Sequence, residues 1–157
     1  MDTSLRNAPT LSGTADDRTG SADVWRPVVV VGLLGIALIH LLDLPGKFEE
    51  TPYLGWAYLG VIGAAIVLAR LVAVTRDPRA LLASSALALA VFGGYVVNRT
   101  VGMPGATDDI GNWTEPLGLA SLFVEAAVVW AGVEGARALR VVRVAVPVRA
   151  RRLAATS

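Results

Sequence analysis

"LGWAYLGVIGAAIVLARLVAVTRDPRALLASSALALAVFGGYVV", residues 54–97, consists of two apolar runs around a short charged turn. Residues 54–74 and 80–97 each approach the roughly 20 apolar residues that a helix needs to cross the hydrocarbon core of a bilayer. Between them stand Arg76, Asp77, Pro78 and Arg79, and Pro78 separates the two runs. A proline fits there because the first turn of a helix has no use for its missing N–H. Neither run has the polar face that a helix of a soluble protein needs. This stretch therefore reads as a helical hairpin lying in lipid.

Two similar runs flank it, residues 27–44 and 117–139. The expected fold is all-α: a four-transmembrane-helix bundle, antiparallel and up-down. Pro27 suits the start of the first span, Pro45-Gly46 its end, and Pro116 the opening of the fourth. Trp25, Tyr53, Trp56, Tyr58, Tyr95 and Trp113 fall near span ends, where amphipathic rings favour the headgroup zone. Composition agrees. Of 157 residues, 54% are hydrophobic and 17% charged, and the mean hydropathy is +0.58; a soluble domain carries about a quarter charged residues. With no cysteine, disulfides and thiolate metal sites are excluded. The net charge of +1 gives no reason to expect a nucleic-acid partner. A single lysine among many Ala, Val, Gly and Arg suits a GC-rich bacterial genome.

Basic residues set the direction. Arg6, Arg18 and Arg26 precede the first span, Arg76 and Arg79 fill the second turn, and Arg137, Arg140, Arg143, Arg149, Arg151 and Arg152 close the chain. The other two connectors hold only Lys47 and Arg99. The positive-inside rule then puts both termini in the cytoplasm of a bacterial cell, with this multi-pass protein in its cytoplasmic membrane. Residues 1–24 are Ser/Thr/Asp/Gly-rich and read as a disordered cytoplasmic tail. They lack the apolar core of a cleavable signal, so the first span is expected to direct insertion. Residues 25–140 form the transmembrane domain. Residues 141–157 form a basic cytoplasmic tail, interrupted by Pro147, whose arginines can rest on anionic lipid headgroups or meet a partner protein.

The connector "NRTVGMPGATDDIGNWTEPLG", residues 98–118, has a faint twin in "DLPGKFEETPYLGWA", which starts at Asp43. Both run Pro-Gly, two adjacent acids, then a proline shortly before Leu-Gly. Aligned this way, Pro45 matches Pro104 and His40 lies opposite Arg99. Two duplicated helical hairpins are one reading; convergence of turn residues is the other.

Ionisable groups at membrane depth are rare and turn toward the bundle interior. Glu125 lies about 13 Å beyond Pro116 at 1.5 Å per residue, near mid-membrane. Gly118, Ser121, Gly132 and Ala136 share its helix face, and such small residues let helices approach. A carboxyl there must be protonated, hydrogen-bonded or paired with a cation. Glu134 faces the other way at about the depth of Arg70, so an Arg70–Glu134 or an Arg137–Glu134 ion pair is expected, with spans two and four adjacent or diagonal. His40 is the only histidine, and Asp43 one turn on can accept a ring proton and free the other nitrogen as a base or ligand. Tyr95 lies at about the depth of His40, with Arg99 one turn above it.

His40, Asp43, Tyr95, Arg99 and Glu125 thus form a candidate ligand or proton site in the outer half of the bundle. Glu49, Glu50, Asp108, Asp109 and Glu115 would stand over its mouth. Arg99 and Glu115 can clamp the connector as a lid. The plain alternative is that these groups only hold helices together.

A histidine near the end of span one, "RTVGMP" after span three, "EPLGL" opening span four and a glutamate within it together resemble a group of small uncharacterised bacterial four-span membrane proteins. The resemblance runs from about His40 to Glu125 and implies the topology, without an activity or a cofactor.

Three functions fit the residues. An outward-facing pocket would bind a metal ion, a proton or a small ligand, with His40, Asp43 and Glu125 as the N/O ligands of zinc, copper(II) or another divalent ion. One histidine and no cysteine disfavour a closed zinc site; two copies could each lend a histidine, and a haem held by two histidines would need that homo-oligomer. A non-enzymatic accessory subunit would instead offer its apolar faces to a membrane-protein partner. An enzyme fits worst: no nucleophile elbow, H-E-x-x-H or phosphate loop is present.

Overall fold

The computed structural model describes residues 13–154, with side chains described over residues 24–141. Four helices follow one another: α1 Gly13–Glu50, α2 Pro52–Val74, α3 Pro78–Thr100 and α4 Pro116–Ala154. No strand occurs among the described residues. Within these helices Val24–Glu50, Pro52–Val74, Pro78–Thr100 and Pro116–Val141 are long and apolar enough to cross a membrane. The protein is an all-α, multi-pass integral membrane protein.

α1 packs against α2 and α4, α3 packs mainly on α4, and α2 meets α3 more lightly. Among the described residues α2 and α4 make no contact, so they are diagonal. The core is a seam of Val29, Leu33 and Ile36 on α1 with Ala65, Ala69 and Val72 on α2, Leu81 and Ala88 on α3, and Val128 and Ala131 on α4. Steps of three and four residues keep each set on one face. Phe123, Trp130 and Leu38 point outward, as they can where the surroundings are as apolar as the core.

Proline does not stop α1 where expected. The helix runs through both Pro27 and Pro45 and ends at Glu50. Contacts beyond Pro45 hold the extra turn. The Thr51 N–H donates to the Lys47 carbonyl at 2.9 Å. Phe48 fills the space above Gly55, where a Cβ would lie 2.6 Å from its ring, and meets Trp56 edge-on at 5.6 Å. Lys47 Nζ reaches Glu50 Oε2 at 2.9 Å. Packing thus overrides the proline, and Thr51 alone reverses the chain into α2. The Pro45–Pro104 equivalence of a duplicated hairpin is not seen, since Pro45 is helical and Pro104 sits in a connector of residues 101–115.

α1 and α4 extend past the spans they contain. The backbone of residues 13–24 belongs to α1, and α4 passes Pro147 to reach Ala154. Residues 1–12 of the tail expected to be disordered over residues 1–24 lie outside the described residues, as do the contacts of the C-terminal arginines.

The Arg70–Glu134 pair does not form, because its two helices are diagonal. Glu134 Oε1 instead pairs with Arg137 Nη1, one turn along α4, at 2.5 Å. Arg70 is exposed four residues before the end of α2, where a long stem can carry its charge to the interface. Arg26, unremarked in the sequence beyond its charge, caps α2. Its guanidinium donates to the carbonyls of Val72 at 2.9 Å and Ala73 at 3.0 Å, which a helix end otherwise leaves unpaired.

Candidate functional site

At the end of the bundle opposite the Arg76–Arg79 turn, the four helices part around a cavity of about 280 Å³. α1 supplies His40 and Asp43, α2 Tyr58, α3 Tyr95, Asn98 and Arg99, and α4 Ser121 and Glu125. Asp109 and Glu115 of the connector close one side. All five residues of the sequence-derived cluster line this one space. They share it because His40/Asp43, Tyr95/Arg99 and Ser121/Glu125 are each one turn apart on inward faces.

Their hydrogen bonds differ from expectation. His40, only 6% exposed, has its Nδ1 2.9 Å from the Ile36 carbonyl. A carbonyl can only accept, so Nδ1 carries a proton, and in the neutral ring Nε2 then presents a lone pair. Asp43 is therefore not the proton acceptor of His40. It accepts from the Tyr58 hydroxyl at 3.2 Å, and the Tyr58 ring lies 4.7 Å from the imidazole. The carbonyl one turn back is the nearer partner for a helical histidine, and Asp43 is held by α2.

Glu125 is fully buried. Ser121 Oγ donates to its Oε1 at 2.5 Å, and its Oε2 has no partner among the described residues. Tyr95 packs against Gly118, where a Cβ would stand 2.6 Å from its ring, and its hydroxyl is also buried without a partner among the described residues. Among the described residues no three His, Asp or Glu groups are arranged to hold a metal ion. His40, Asp43 and Glu125 are not grouped as one ligand set, and Tyr58 and Ser121 each hydrogen-bond one of the two carboxylates.

The connector is pinned over the cavity by one cation. Arg99, 5% exposed, places Nη2 2.6 Å from Glu115 Oε2 and bonds Asp109 Oδ1 through Nη1. Its guanidinium also stands 5.0 Å above the Tyr95 ring, a cation–π geometry. Asn98 Nδ2 donates to Asp109 Oδ2 at 2.9 Å, and Lys47 Nζ approaches the same oxygen at 3.5 Å. Gly111, at φ +81°, turns so that its N–H meets the Arg99 carbonyl at 2.9 Å. Tyr53 on α2 donates to the Pro104 carbonyl at 2.9 Å. Asp109 is thus the hub of the lid, a role the sequence reading missed. Nothing local marks it: its partners Lys47, Asn98 and Arg99 come from two other elements, and Asp108 beside it is exposed. Tyr58 was missed for the same reason, its partner Asp43 lying 15 residues away.

Partial burial alone would raise the Asp109 carboxyl, but hydrogen bonds from Asn98 and Arg99 and the charges of Lys47 and Arg99 outweigh it. The net effect lowers its pKa below the ordinary value of 3.8. A lowered folded-state value stabilises the lid above the ordinary carboxylate pKa, and that contribution is lost as pH falls through the folded value. Hydrogen exchange of the connector amides, corrected for intrinsic rates, is expected to accelerate below about pH 4 and to stay level from pH 5 to 7. In Asp109→Asn the acid step disappears.

No family model matches the sequence, and no curated protein or solved structure is significantly similar to it.

Proposed function

We propose that this integral membrane protein binds a small ligand in the lidded cavity, and that it does so from outside a bacterial cytoplasmic membrane. The carrying observation is the pair of buried oxygens that have no hydrogen-bond partner among the described residues, Glu125 Oε2 and Tyr95 Oη. Buried polar groups that serve packing alone find partners inside the protein. Here they line a space walled by Leu54, Val61, Leu87 and Val91. A mostly apolar cavity with a few converging polar groups is the usual form of a small-molecule site. The direction of opening follows from the arginines at the opposite end of the bundle. The apolar outer faces are covered by lipid on this reading, without an obligatory partner.

Gly94→Leu tests it. Gly94 lines the cavity, and a Cβ there meets nothing nearer than Met103 Cε at 4.0 Å. A leucine should fill the space without displacing a helix. In detergent, small aryl alcohols and amines are expected to raise the unfolding midpoint of the unaltered protein, as ligands of a folded state do. Gly94→Leu should be more stable without a probe and unresponsive to all of them. Equal responses from the two proteins would place binding elsewhere and end the proposal.

A further inference from the structure

The cavity's charge inventory points to a ligand class. Four acids line it, Asp43, Asp109, Glu115 and Glu125, against two bases, Lys47 and Arg99. Both bases are committed: Arg99 to Asp109 and Glu115, Lys47 to Glu50 and Asp109. Among the described residues Asp43 and Glu125 therefore have no Arg or Lys partner. Asp43 is engaged by Tyr58, whereas Glu125 keeps one oxygen open. Among the described residues the buried atoms without partners are two pure acceptors, Asn98 Oδ1 and Glu125 Oε2, the Tyr95 hydroxyl, which can donate or accept, and a single N–H, Arg99 Nε. His40 Nε2 adds another lone pair. A space so rich in acceptors and poor in donors suits a donor-bearing cation.

Resting on the pocket reading above, we propose that the ligand is a small organic cation, a primary ammonium on an apolar body, whose ammonium donates to Glu125 Oε2. The shape of the site agrees. Tyr95 packs on Gly118, seven residues and about 10 Å along α4 from Glu125. A short arylalkyl ammonium can place its charge at Glu125 and its ring between Leu87, Val91 and Tyr95. A metal ion would lack ligands here, and an anion would meet Glu125 without a free base beside it.

Isothermal titration in lipid nanodiscs, with protein-free nanodiscs as blank, separates the readings. The probes are 2-phenylethylammonium, the neutral 2-phenylethanol and the anionic 3-phenylpropanoate. The ammonium is expected to bind tightest. Glu125→Gln, nearly isosteric and able to keep the Ser121 contact, should weaken the ammonium at least about tenfold, the effect of losing a hydrogen bond to a charged group, and leave the alcohol nearly unchanged. If the alcohol or carboxylate binds as well as the ammonium, the cation assignment falls while the pocket stands. If the ammonium is preferred but a folded Glu125→Gln binds it equally, Glu125 is not its partner and the assignment falls too. Binding of none of the three overturns the pocket along with it. The comparison among probes on the unaltered protein needs no variant to fold.

Discussion

Replacing Arg99 by methionine is expected to lower the stability of the bundle by about 2–3 kcal/mol and to release the connector of residues 101–115. Arg99 is a buried charge, and it answers two carboxylates from its two Nη atoms. Removing one partner of a fully buried pair costs about 3–5 kcal/mol, because the other charge stays behind unpaired. Asp109 and Glu115 are 24% and 36% exposed, so water recovers part of that loss and the lower range applies. Methionine keeps the apolar stem against Tyr95, which confines the change to the charge. Arg99→Lys should fall between the two proteins, since an ammonium is a point charge without the fork that spans two acids. Two measurements check this: equilibrium unfolding in mixed micelles, and protease cleavage of the connector in the folded state. In Arg99→Met cleavage should rise strongly, while hydrogen exchange in the cores of α1 and α4 changes little. In a double variant with Asp109→Asn the costs should not add, because both changes break the same link. A connector as protected in Arg99→Met as before would mean that Tyr53 and the glycine turns hold the lid without the arginine.

That network shows where the sequence could be read and where it could not. Four spans were legible because a bilayer imposes one length and one polarity on every helix. The cluster of His40, Tyr95, Arg99 and Glu125 was legible for a related reason: charge at membrane depth turns inward, and helical rise gives its height. Pairing was legible only within one turn, as for Glu134 with Arg137. Which helices are neighbours is not written in any one helix, so the Arg70–Glu134 alternative survived until the diagonal placement of α2 and α4 removed it. Proline misled at Pro27 and Pro45 because its local preference is a few kcal/mol, which packing of Phe48 on Gly55 and the Lys47–Glu50 bond can offset. The hub at Asp109 needed three partners from distant segments and left no periodic trace. The hydrogen bonds inside the site were not legible either: Ser121 and Tyr58, plain residues in the sequence, hold the Glu125 and Asp43 carboxylates.

The second large effect is expected at Gly132, where α4 crosses α3. A Cβ built there would stand 2.2 Å from Ser85 Oγ and 2.8 Å from the Leu81 carbonyl oxygen. The hydroxyl can rotate away, but the carbonyl belongs to the α3 backbone and cannot move without its helix. Ser85 also donates across the crossing to the Val129 carbonyl at 3.1 Å, a bond between helices that a methyl group would displace. Glycine in a helix interior gives up roughly 1 kcal/mol relative to alanine, so Gly132→Ala carries a favourable term as well. Overpacking at a tight crossing costs about 1–3 kcal/mol or more, and the lost Ser85 bond adds to it. The sum is a net destabilisation of about 2 kcal/mol for Gly132→Ala, larger for Gly132→Val. Two glycines of α2 supply the control. Gly60 and Gly63 have nothing within 4 Å of a built Cβ, so Gly60→Ala and Gly63→Ala should leave stability unchanged or raise it by up to about 1 kcal/mol. A Ser85→Ala background refines the test: it removes the hydroxyl clash and leaves the carbonyl one, so Gly132→Ala there should recover only part of its loss. Unfolding free energies from a denaturing-detergent titration of these six variants decide the matter. Equal values for all three glycine substitutions would show that α3 and α4 are farther apart than the structure places them, and the cavity they help to wall would then be wider and less selective than proposed.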